Sequence, residues 1–168
     1  MYDIEQIWNY ERKEKILFLK TWWKTVRLDW KALTSYFTVW TSIVNFLPLT
    51  NPLFIQIKHN MLLQTFIGGF YITFLYPTRL EVPYLNAIIR GKTLILIDII
   101  SHQLPFFYFL SQCGIQKITS FSDFWIVNAP ILTYIYVHKG LKKYHLFNND
   151  IVNLFMIYSG ILVASHFI

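Results

Sequence analysis

The sequence predicts an all-α, polytopic membrane protein with about five transmembrane helices, preceded by a basic amphipathic helix at the membrane interface. Composition is the first reason. The chain of 168 residues is 55% hydrophobic and only 14% charged, whereas soluble domains are about 45–50% apolar and about 25% charged. The second reason is pattern, because the apolar residues fall in long blocks rather than in a stripe repeating every 3.6 residues. The third is the distribution of Lys and Arg along the chain.

The first 32 residues are basic and rich in tryptophan. They contain seven Lys and Arg residues, and Leu19, Trp23, Val26 and Trp30 are spaced by four, three and four. That spacing places the apolar residues on one helical face. We expect this helix to lie in the interface with its apolar face toward lipid. A plain cytoplasmic tail is the alternative. The segment begins with polar and charged residues, so we expect no cleavable secretory signal there.

Five apolar blocks follow and predict one transmembrane bundle over residues 33–168. The predicted spans are about 33–49, 61–76, 93–111, 121–137 and 151–167. A helix rises about 1.5 Å per residue, so about 20 residues cross the ~30 Å hydrocarbon core of a bilayer. The length of the chain suits one compact bundle without a second soluble domain.

The Lys and Arg residues divide unevenly between the two sides of such a bundle. All 15 fall outside the predicted spans, 13 on the side of the N-terminus and 2 on the other. Cytoplasmic loops carry an excess of Lys and Arg. The N-terminus is therefore predicted to be cytoplasmic and the C-terminus to lie on the opposite side. This asymmetry explains the net charge of +6 better than nucleic-acid binding does.

The third span carries two ionisable residues near its middle, Asp98 and His102. They are four residues apart and therefore share one helical face. Ionisable groups at membrane depth are costly and usually mark a functional site. Pro105 removes a backbone donor one turn later and predicts a kink at the pair. The pair could perform acid–base chemistry, with Asp98 orienting the imidazole. It could also be a hydrogen-bonded pair that fixes packing, or part of a proton or ion path.

The first span carries a polar row. Thr34, Thr38, Thr41 and Asn45 are spaced by four, three and four, which places them on one stripe of the helix. Such a stripe faces other protein or a wet cavity. The ordinary interpretation is that these residues form hydrogen bonds between helices and stabilise their packing. The adjacent Gly68 and Gly69 in the second span indicate close helix packing.

Other common functional classes have no sequence signature here. Cys113 is the only cysteine, which excludes an internal disulfide and a cysteine metal site. The remaining histidines are placed in loops or at span ends without metal-ligand spacing: His59, His138, His145 and His166. We find no P-loop, GxSxG or GxGxxG motif. We therefore expect no metal, no cofactor and no nucleic-acid partner, and we expect membrane lipids as partners. The oligomeric state stays open.

Two stretches of the chain together resemble a known family of membrane proteins. The stretch from Tyr36 to Asn45 reads Tyr-Phe-Thr-Val-Trp-Thr-Ser-Ile-Val-Asn. The stretch from Asp98 to Pro105 reads Asp-Ile-Ile-Ser-His-Gln-Leu-Pro. The family is that of the androgen-induced and androgen-dependent TFPI-regulating proteins, which are multi-span membrane hydrolases. The first stretch is similar to the family's helix with an aromatic residue or Leu, then Thr-x-Trp, and later an amide, and the second is similar to its Asp/Asn-x-x-x-His helix, which is followed by proline.

The resemblance implies an intramembrane ester hydrolase. The family uses a threonine nucleophile and a histidine to hydrolyse fatty acid esters of hydroxy fatty acids. Carried over, the threonine is Thr38 and the histidine is His102, with Thr34 as a competing match for the threonine. Asp98 occupies the position four residues before the histidine. The family has six spans, whereas five are predicted here, and its proline follows the histidine by four or five residues rather than three.

Two interpretations of function therefore stand. In the first, Thr38, His102 and Asp98 form the catalytic group of a lipid ester hydrolase. We then expect contacts to substrate from Asn45, Thr41 and Ser101, with Asn45 or a backbone amide freed by Pro105 binding the oxyanion. In the second, the protein is a non-enzymatic structural or interaction protein, or a small transporter or channel, and Asp98 and His102 are a buried polar pair. Span positions predict a depth difference of about 6 Å between Thr38 and His102.

Overall fold

The protein is described by a computed structural model that covers residues 2–9, 12–25, 34–47, 51–75, 80–82, 87–89, 91–138, 146 and 148–165. Most of these residues are helical, which confirms the all-α class. Several predicted features lie outside the described residues. They are Val26 and Trp30 of the basic N-terminal helix, the start of the first span at residue 33, the span ends at 49, 76 and 167, and the histidines His145 and His166.

Eight α-helices occur within the described part of the chain. They are α1 Ile4–Asn9, α2 Arg12–Thr25, α3 Phe37–Phe46, α4 Pro52–Phe70, α5 Gly91–Asp98, α6 Leu104–Cys113, α7 Phe121–Val137 and α8 Asn148–Ser165. Two π-helical turns extend them, because Tyr71–Leu75 continues α4 and Ile99–Gln103 joins α5 to α6. We call the continuous helix Gly91–Cys113 the central helix.

The bundle packs around α4. Helices α3, α6, α7 and α8 and both π-helical turns contact it. One face of α4 packs with Phe106 and Phe109 of α6 and Tyr158 of α8. Another face packs through Met61 against Phe37 of α3 and Tyr134 of α7. Helix α4 therefore fixes the positions of α3 and the central helix relative to each other.

Helix α4 begins nine residues before the predicted second span. Pro52 occupies its first turn, and the Asn51 side chain accepts a hydrogen bond from Leu53 N at 2.8 Å. Asparagine before proline is a favourable helix start. Lys58, which the predicted spans leave in a loop, therefore lies within α4. The Lys58 ammonium donates a hydrogen bond to the backbone carbonyl of Asn45 at 2.9 Å.

Because α4 begins at Pro52, His59 also lies within this helix. The side chain of His59 is buried within α4, where its ring lies 6.0 Å from that of Phe106 and 5.7 Å from that of Phe109. His59 therefore lies in the interior of a helix, whereas the prediction placed it in a loop or at a span end. Lys58 and His59 are polar and interrupt the apolar block. For this reason the sequence pattern places the start of this helix nine residues too late.

A small sheet, which the sequence did not predict, ties the N-terminal segment to the bundle. Strand β1 (Tyr2–Asp3) pairs in parallel with β3 (Ala87–Ile89), and β2 (Leu80–Val82) pairs with β3 in antiparallel fashion. Strands of two or three residues have too little alternation to be found from a pattern. Next to the sheet, the Glu5 carboxylate accepts a hydrogen bond from Thr93 N at 3.1 Å. This bond satisfies a donor in the first turn of the central helix.

Within the described residues, one helix is long and apolar enough to cross a membrane by length and composition. This is the central helix, with 23 residues; its most apolar 18-residue window has a mean hydropathy of 1.5, and only 22% of that window is buried. A shorter apolar segment, Asn149–Ala164, lies in α8. Each of the five predicted spans contains a helix, although α3 has only ten residues and is shorter than α2, which has 14. That all five cross a membrane belongs to the proposal below.

Candidate functional site

Three polar side chains from α3 and the central helix form one hydrogen-bonded chain. His102 Nε2 lies 3.0 Å from Thr38 Oγ1, and His102 Nδ1 lies 2.6 Å from Asp98 Oδ1. The Asp98 side chain is 1% exposed and that of His102 is 19% exposed. The imidazole therefore lies between a hydroxyl and a buried carboxylate, as a general base lies in serine hydrolases. The span positions predicted that Thr38 and His102 lie at different depths, whereas in the structure their side chains are within hydrogen-bonding distance.

The bonding partners determine which imidazole nitrogen carries the proton. An ionised carboxylate only accepts hydrogen bonds, so His102 Nδ1 donates to Asp98. His102 Nε2 then has a free lone pair and accepts a hydrogen bond from the Thr38 hydroxyl. The second oxygen of Asp98 accepts from Gln103 Nε2 at 2.7 Å. Both carboxylate oxygens are therefore paired, which holds the carboxylate in one orientation.

A π-helical turn presents His102 to α3. Within Ile99–Gln103 the backbone hydrogen bonds change from the α-helical to the π-helical pattern, and Leu104 N donates to Ile99 O, five residues back. Pro105 follows in the first turn of α6 and has no N–H to donate. The predicted distortion at Pro105 therefore takes the form of a widened turn before it. Single π-helical turns inside α-helices often occur at functional sites.

Gly69 of α4 leaves room for the Asp98–His102 pair. A Cβ at this position would lie 2.1 Å from Asp98 Oδ1 and 2.4 Å from His102 Nδ1. No side chain fits there unless the pair moves. At the neighbouring Gly68, a Cβ would meet nothing within 4 Å. The sequence indicated close helix packing at both glycines, whereas the structure assigns the close approach to Gly69 alone.

Thr38 lies in the first turn of α3. The residue before this helix, Tyr36, is extended with φ −104° and ψ 128°, and it makes no side-chain capping bond. Residues 34–36 precede the helix, so Thr38 lies nearer its start than the span prediction placed it. Val39 N in this turn donates to Tyr36 O at 3.0 Å, and the helix dipole is positive at this end. Thr38 Oγ1 is therefore next to a region that favours negative charge.

A cavity of about 460 Å³ adjoins Thr38 and His102. Both residues line it, whereas Asp98 lies behind them and does not. Most of the wall is apolar and comes from α4, α7 and α8, including Ile67, Ile131 and Leu154. Cavities of about 300–1,000 Å³ with mostly apolar walls and a few polar groups are typical ligand sites. The hydroxyl and the imidazole are thus open to an apolar ligand.

The other predicted site residues do not line this cavity. Thr41 is buried and donates to Phe37 O at 3.2 Å. Asn45 lies two turns along α3 from Thr38, and Ser101 is half-buried in the π-helical turn. Thr34 is exposed, and its carbonyl accepts from Trp40 Nε1 at 2.7 Å. The roles assigned to these four residues stay predictions, and the geometry favours Thr38 over Thr34 as the partner of His102.

A second polar group lines the cavity and was missed in the sequence. Its members are Asn60 and Gln64 of α4, Asn128 of α7 and Tyr158 of α8. Gln64, Asn128 and Tyr158 line the cavity, while Asn60 lies behind them. Amide side chains inside apolar helices were visible in the sequence and indicate either helix contacts or a site. These four side chains meet because α4, α7 and α8 pack together. The spacing of residues within a single helix does not predict such a meeting.

The described residues contain no group of three or more His, Cys, Asp or Glu side chains that could hold a metal ion. Comparison of the chain with protein-family models, with curated proteins and with solved structures gave no match. The resemblance to the androgen-induced family therefore rests on the motifs alone. The functional argument below rests on the geometry of the site.

Replacing Gly69 tests the packing of the pair, with Gly68 as the matched control. Gly69→Ala should lower the free energy of unfolding by about 1–3 kcal/mol, because the new Cβ overlaps Asp98 and His102. Gly68→Ala should be neutral or slightly stabilising, since alanine favours a helix and the position is open. Thermal unfolding of both variants in the same detergent measures the difference. Equal unfolding midpoints would show that the pair does not pack on α4 as described.

Proposed function

We propose that the protein is an intramembrane lipid ester hydrolase with Thr38 as nucleophile, His102 as general base and Asp98 as the residue that orients the base. The observation that carries the proposal is the unbroken chain of hydrogen bonds from Thr38 Oγ1 through both ring nitrogens of His102 to Asp98. It is supported by the apolar cavity onto which the hydroxyl opens.

Acyl transfer to the enzyme is the first half of the reaction. A threonine hydroxyl is a weak nucleophile until a base removes its proton. His102 Nε2 takes that proton at 3.0 Å while Oγ1 bonds to the carbonyl carbon of the ester. The imidazolium is stabilised by the buried carboxylate of Asp98. It then protonates the departing alkoxide, so the alcohol leaves and the acyl group remains on Thr38.

Water completes the reaction in the second half. The neutral His102 takes a proton from water, whose oxygen bonds to the acyl carbon. The bond from that carbon to Thr38 Oγ1 then breaks, and the proton returns to the hydroxyl. The products are a fatty acid and an alcohol, and the enzyme is restored.

The start of α3 is the best-placed source of stabilisation for the oxyanion. Negative charge develops on the carbonyl oxygen next to Thr38, in the first turn of that helix. Positive helix ends and preorganised amides in a water-poor site stabilise such charge strongly. This assignment takes the place of Asn45, whose helix position is seven residues away.

A membrane location is supported by the outward faces of the helices. Large apolar side chains are exposed on the central helix and on α8, among them Leu96 at 53%, Phe107 at 53% and Met156 at 65%. Soluble monomers rarely expose such continuous apolar surface. We propose that all five helices cross the bilayer, with the N-terminus cytoplasmic and lipid as the source of the substrate.

Three substitutions test the catalytic assignment. Thr38→Ala and His102→Ala should each lower hydrolysis of a long-chain p-nitrophenyl ester by roughly 10³-fold or more, because nucleophile and base act as one unit. Asp98→Asn should also reduce the rate, by roughly 10³–10⁴-fold, because the amide has one acceptor oxygen for His102 Nδ1 and Gln103 Nε2 and no longer fixes the tautomer of the base. Thr133→Ala is the control, because Thr133 is exposed on α7 and does not line the cavity.

The outcomes separate the competing interpretations. Full activity in Thr38→Ala, with loss in Thr34→Ala, would move the nucleophile to Thr34. Full activity in both would refute a threonine nucleophile in this segment. A folded wild-type protein that hydrolyses no lipid ester would favour the non-enzymatic interpretation.

The proposed topology is testable through the single cysteine. Cys113 is exposed at the end of the central helix. With a cytoplasmic N-terminus and alternating spans, it faces the opposite side of the membrane. A membrane-impermeant maleimide should label Cys113 on intact spheroplasts that express the protein.

The control places the cysteine at the other end of the same helix. Lys92 is exposed there, and Lys92→Cys combined with Cys113→Ser should react only after permeabilisation. Labelling of both positions from the same side would show that the central helix does not cross the membrane.

A further inference from the structure

The exposed part of the cavity wall lies on two helices. Trp125 and Leu132 of α7 and Phe155 of α8 line the cavity, and they are 52%, 45% and 56% exposed. The wall residues that come from α3, from α4 with its π-helical turn and from the central helix are all buried or half-buried. The cavity therefore opens to the outside between α7 and α8. We call the opening that these three residues form the mouth.

The packing of the helices accounts for this opening. Helices α7 and α8 both pack on α4, whereas their backbones come close to each other at few positions in the described part of the chain. Trp125 and Leu132 are seven residues apart, which places them on one face of α7 and about 10 Å apart along the helix. The mouth thus extends over about two helical turns.

The mouth and the wall behind it are uncharged in character. Two aromatic rings and one aliphatic side chain form the mouth, and no residue that lines the cavity is Asp, Glu, Lys or Arg. A charged group that leaves water for apolar surroundings without a partner does so at a large cost in free energy. The part of a ligand that passes the mouth should therefore carry no charge.

The mouth lies near the middle of its two helices. Trp125 and Leu132 are on either side of the midpoint of α7, and Phe155 is close to the midpoint of α8. In the proposed topology both helices cross the bilayer, so the mouth opens onto the hydrocarbon core rather than onto water. Thr38 and His102 line the same cavity away from the mouth, on α3 and the central helix.

We infer that the acyl chain of a membrane lipid occupies the mouth between α7 and α8, with the ester group inside the cavity beside Thr38 and His102. The substrate class is then a lipid ester with no charged group next to the ester bond, such as a monoacylglycerol. The position of the ester rests on the proposed hydrolysis, whereas the entrance of an acyl chain between α7 and α8 does not. Phospholipids are excluded because their charged headgroup would enter the cavity with the ester.

Photocrosslinking tests whether a chain enters the cavity. Thr38→Ala protein, which cannot form the acyl intermediate, is mixed in detergent with methyl hexadecanoate that carries a diazirine near its ester end. After illumination, mass spectrometry measures labelling of Ile67, which is buried in the cavity wall, relative to Leu96, which is exposed on the central helix outside the cavity. We call this ratio the cavity labelling. It should be well above the background of protein that is not illuminated, because the ester end reaches the interior.

Four cysteine variants locate the entrance. Each is made in the same background with Cys113→Ser and is modified with a bulky pyrene maleimide before the probe is added. Modified Leu132→Cys and Phe155→Cys should each lose most of the cavity labelling, because pyrene fills the mouth from α7 or from α8. Ile126→Cys and Met156→Cys are the matched controls, since these side chains are 43% and 65% exposed on the same two helices and do not line the cavity. Their cavity labelling should stay unchanged.

Competition with unlabelled lipids tests the substrate class. The lipids 1-palmitoylglycerol and 1-palmitoyl-lysophosphatidylcholine contain the same acyl ester, but only the second has a charged headgroup. The uncharged lipid should suppress the cavity labelling at about tenfold lower concentration, because no charge has to leave water. Equal competition by the two lipids would overturn the substrate class.

Two results would overturn the entrance between α7 and α8. They are the absence of cavity labelling in the unmodified protein, and cavity labelling that survives pyrene at both positions of the mouth. Neither measurement requires turnover. A wild-type protein that takes up the probe through the mouth but hydrolyses no lipid ester would count against the proposed function and leave the entrance of the acyl chain supported.

Discussion

The close approach of the Asp98–His102 pair to the bare backbone of α4 at Gly69 is the contact on which the site depends. The pair lies where any side chain at this position would have to be, within 2.4 Å of an added Cβ. Because α3 also packs on α4, the same helix sets the height and direction of Thr38. The hydroxyl and the imidazole meet because both of their helices are positioned against a third one. A hydrogen bond of 3.0 Å between them is thus a consequence of packing around α4.

The structure separates two kinds of polar residue in an apolar bundle. Asp98, His102 and Gln103 satisfy one another, and Thr38 completes their chain at the cavity wall. Asn60, Asn128 and Tyr158 also satisfy one another and hold α4, α7 and α8 together. Gln64 belongs to this second group but keeps one buried acceptor without a partner in the described residues. The cavity lies between the two groups and is otherwise largely apolar.

The sequence predicted the helical class and the order of the helices in the bundle. Each apolar block is more than fifteen residues long, so a few polar residues within it do not hide the pattern. It placed Asp98 and His102 on one face, since a spacing of four residues has a fixed meaning in a helix. It misplaced the start of α4, because Lys58 and His59 interrupt the apolar block yet are accommodated by Asn45 O and two phenylalanine rings. The role of Gly69 and the convergence of Gln64 with Asn128 depend on contacts between helices, and a single sequence contains no direct record of those.

The central claim is that the Thr38 hydroxyl is the nucleophile of a lipid ester hydrolase. The most direct measurement is to treat the folded protein in detergent with a long-chain fluorophosphonate, digest it and locate the adduct by mass spectrometry. The account predicts one phosphonate, on Thr38, which disappears from the His102→Ala protein because the base is missing. An adduct on another residue, or no adduct on protein that still hydrolyses lipid esters, would contradict the account.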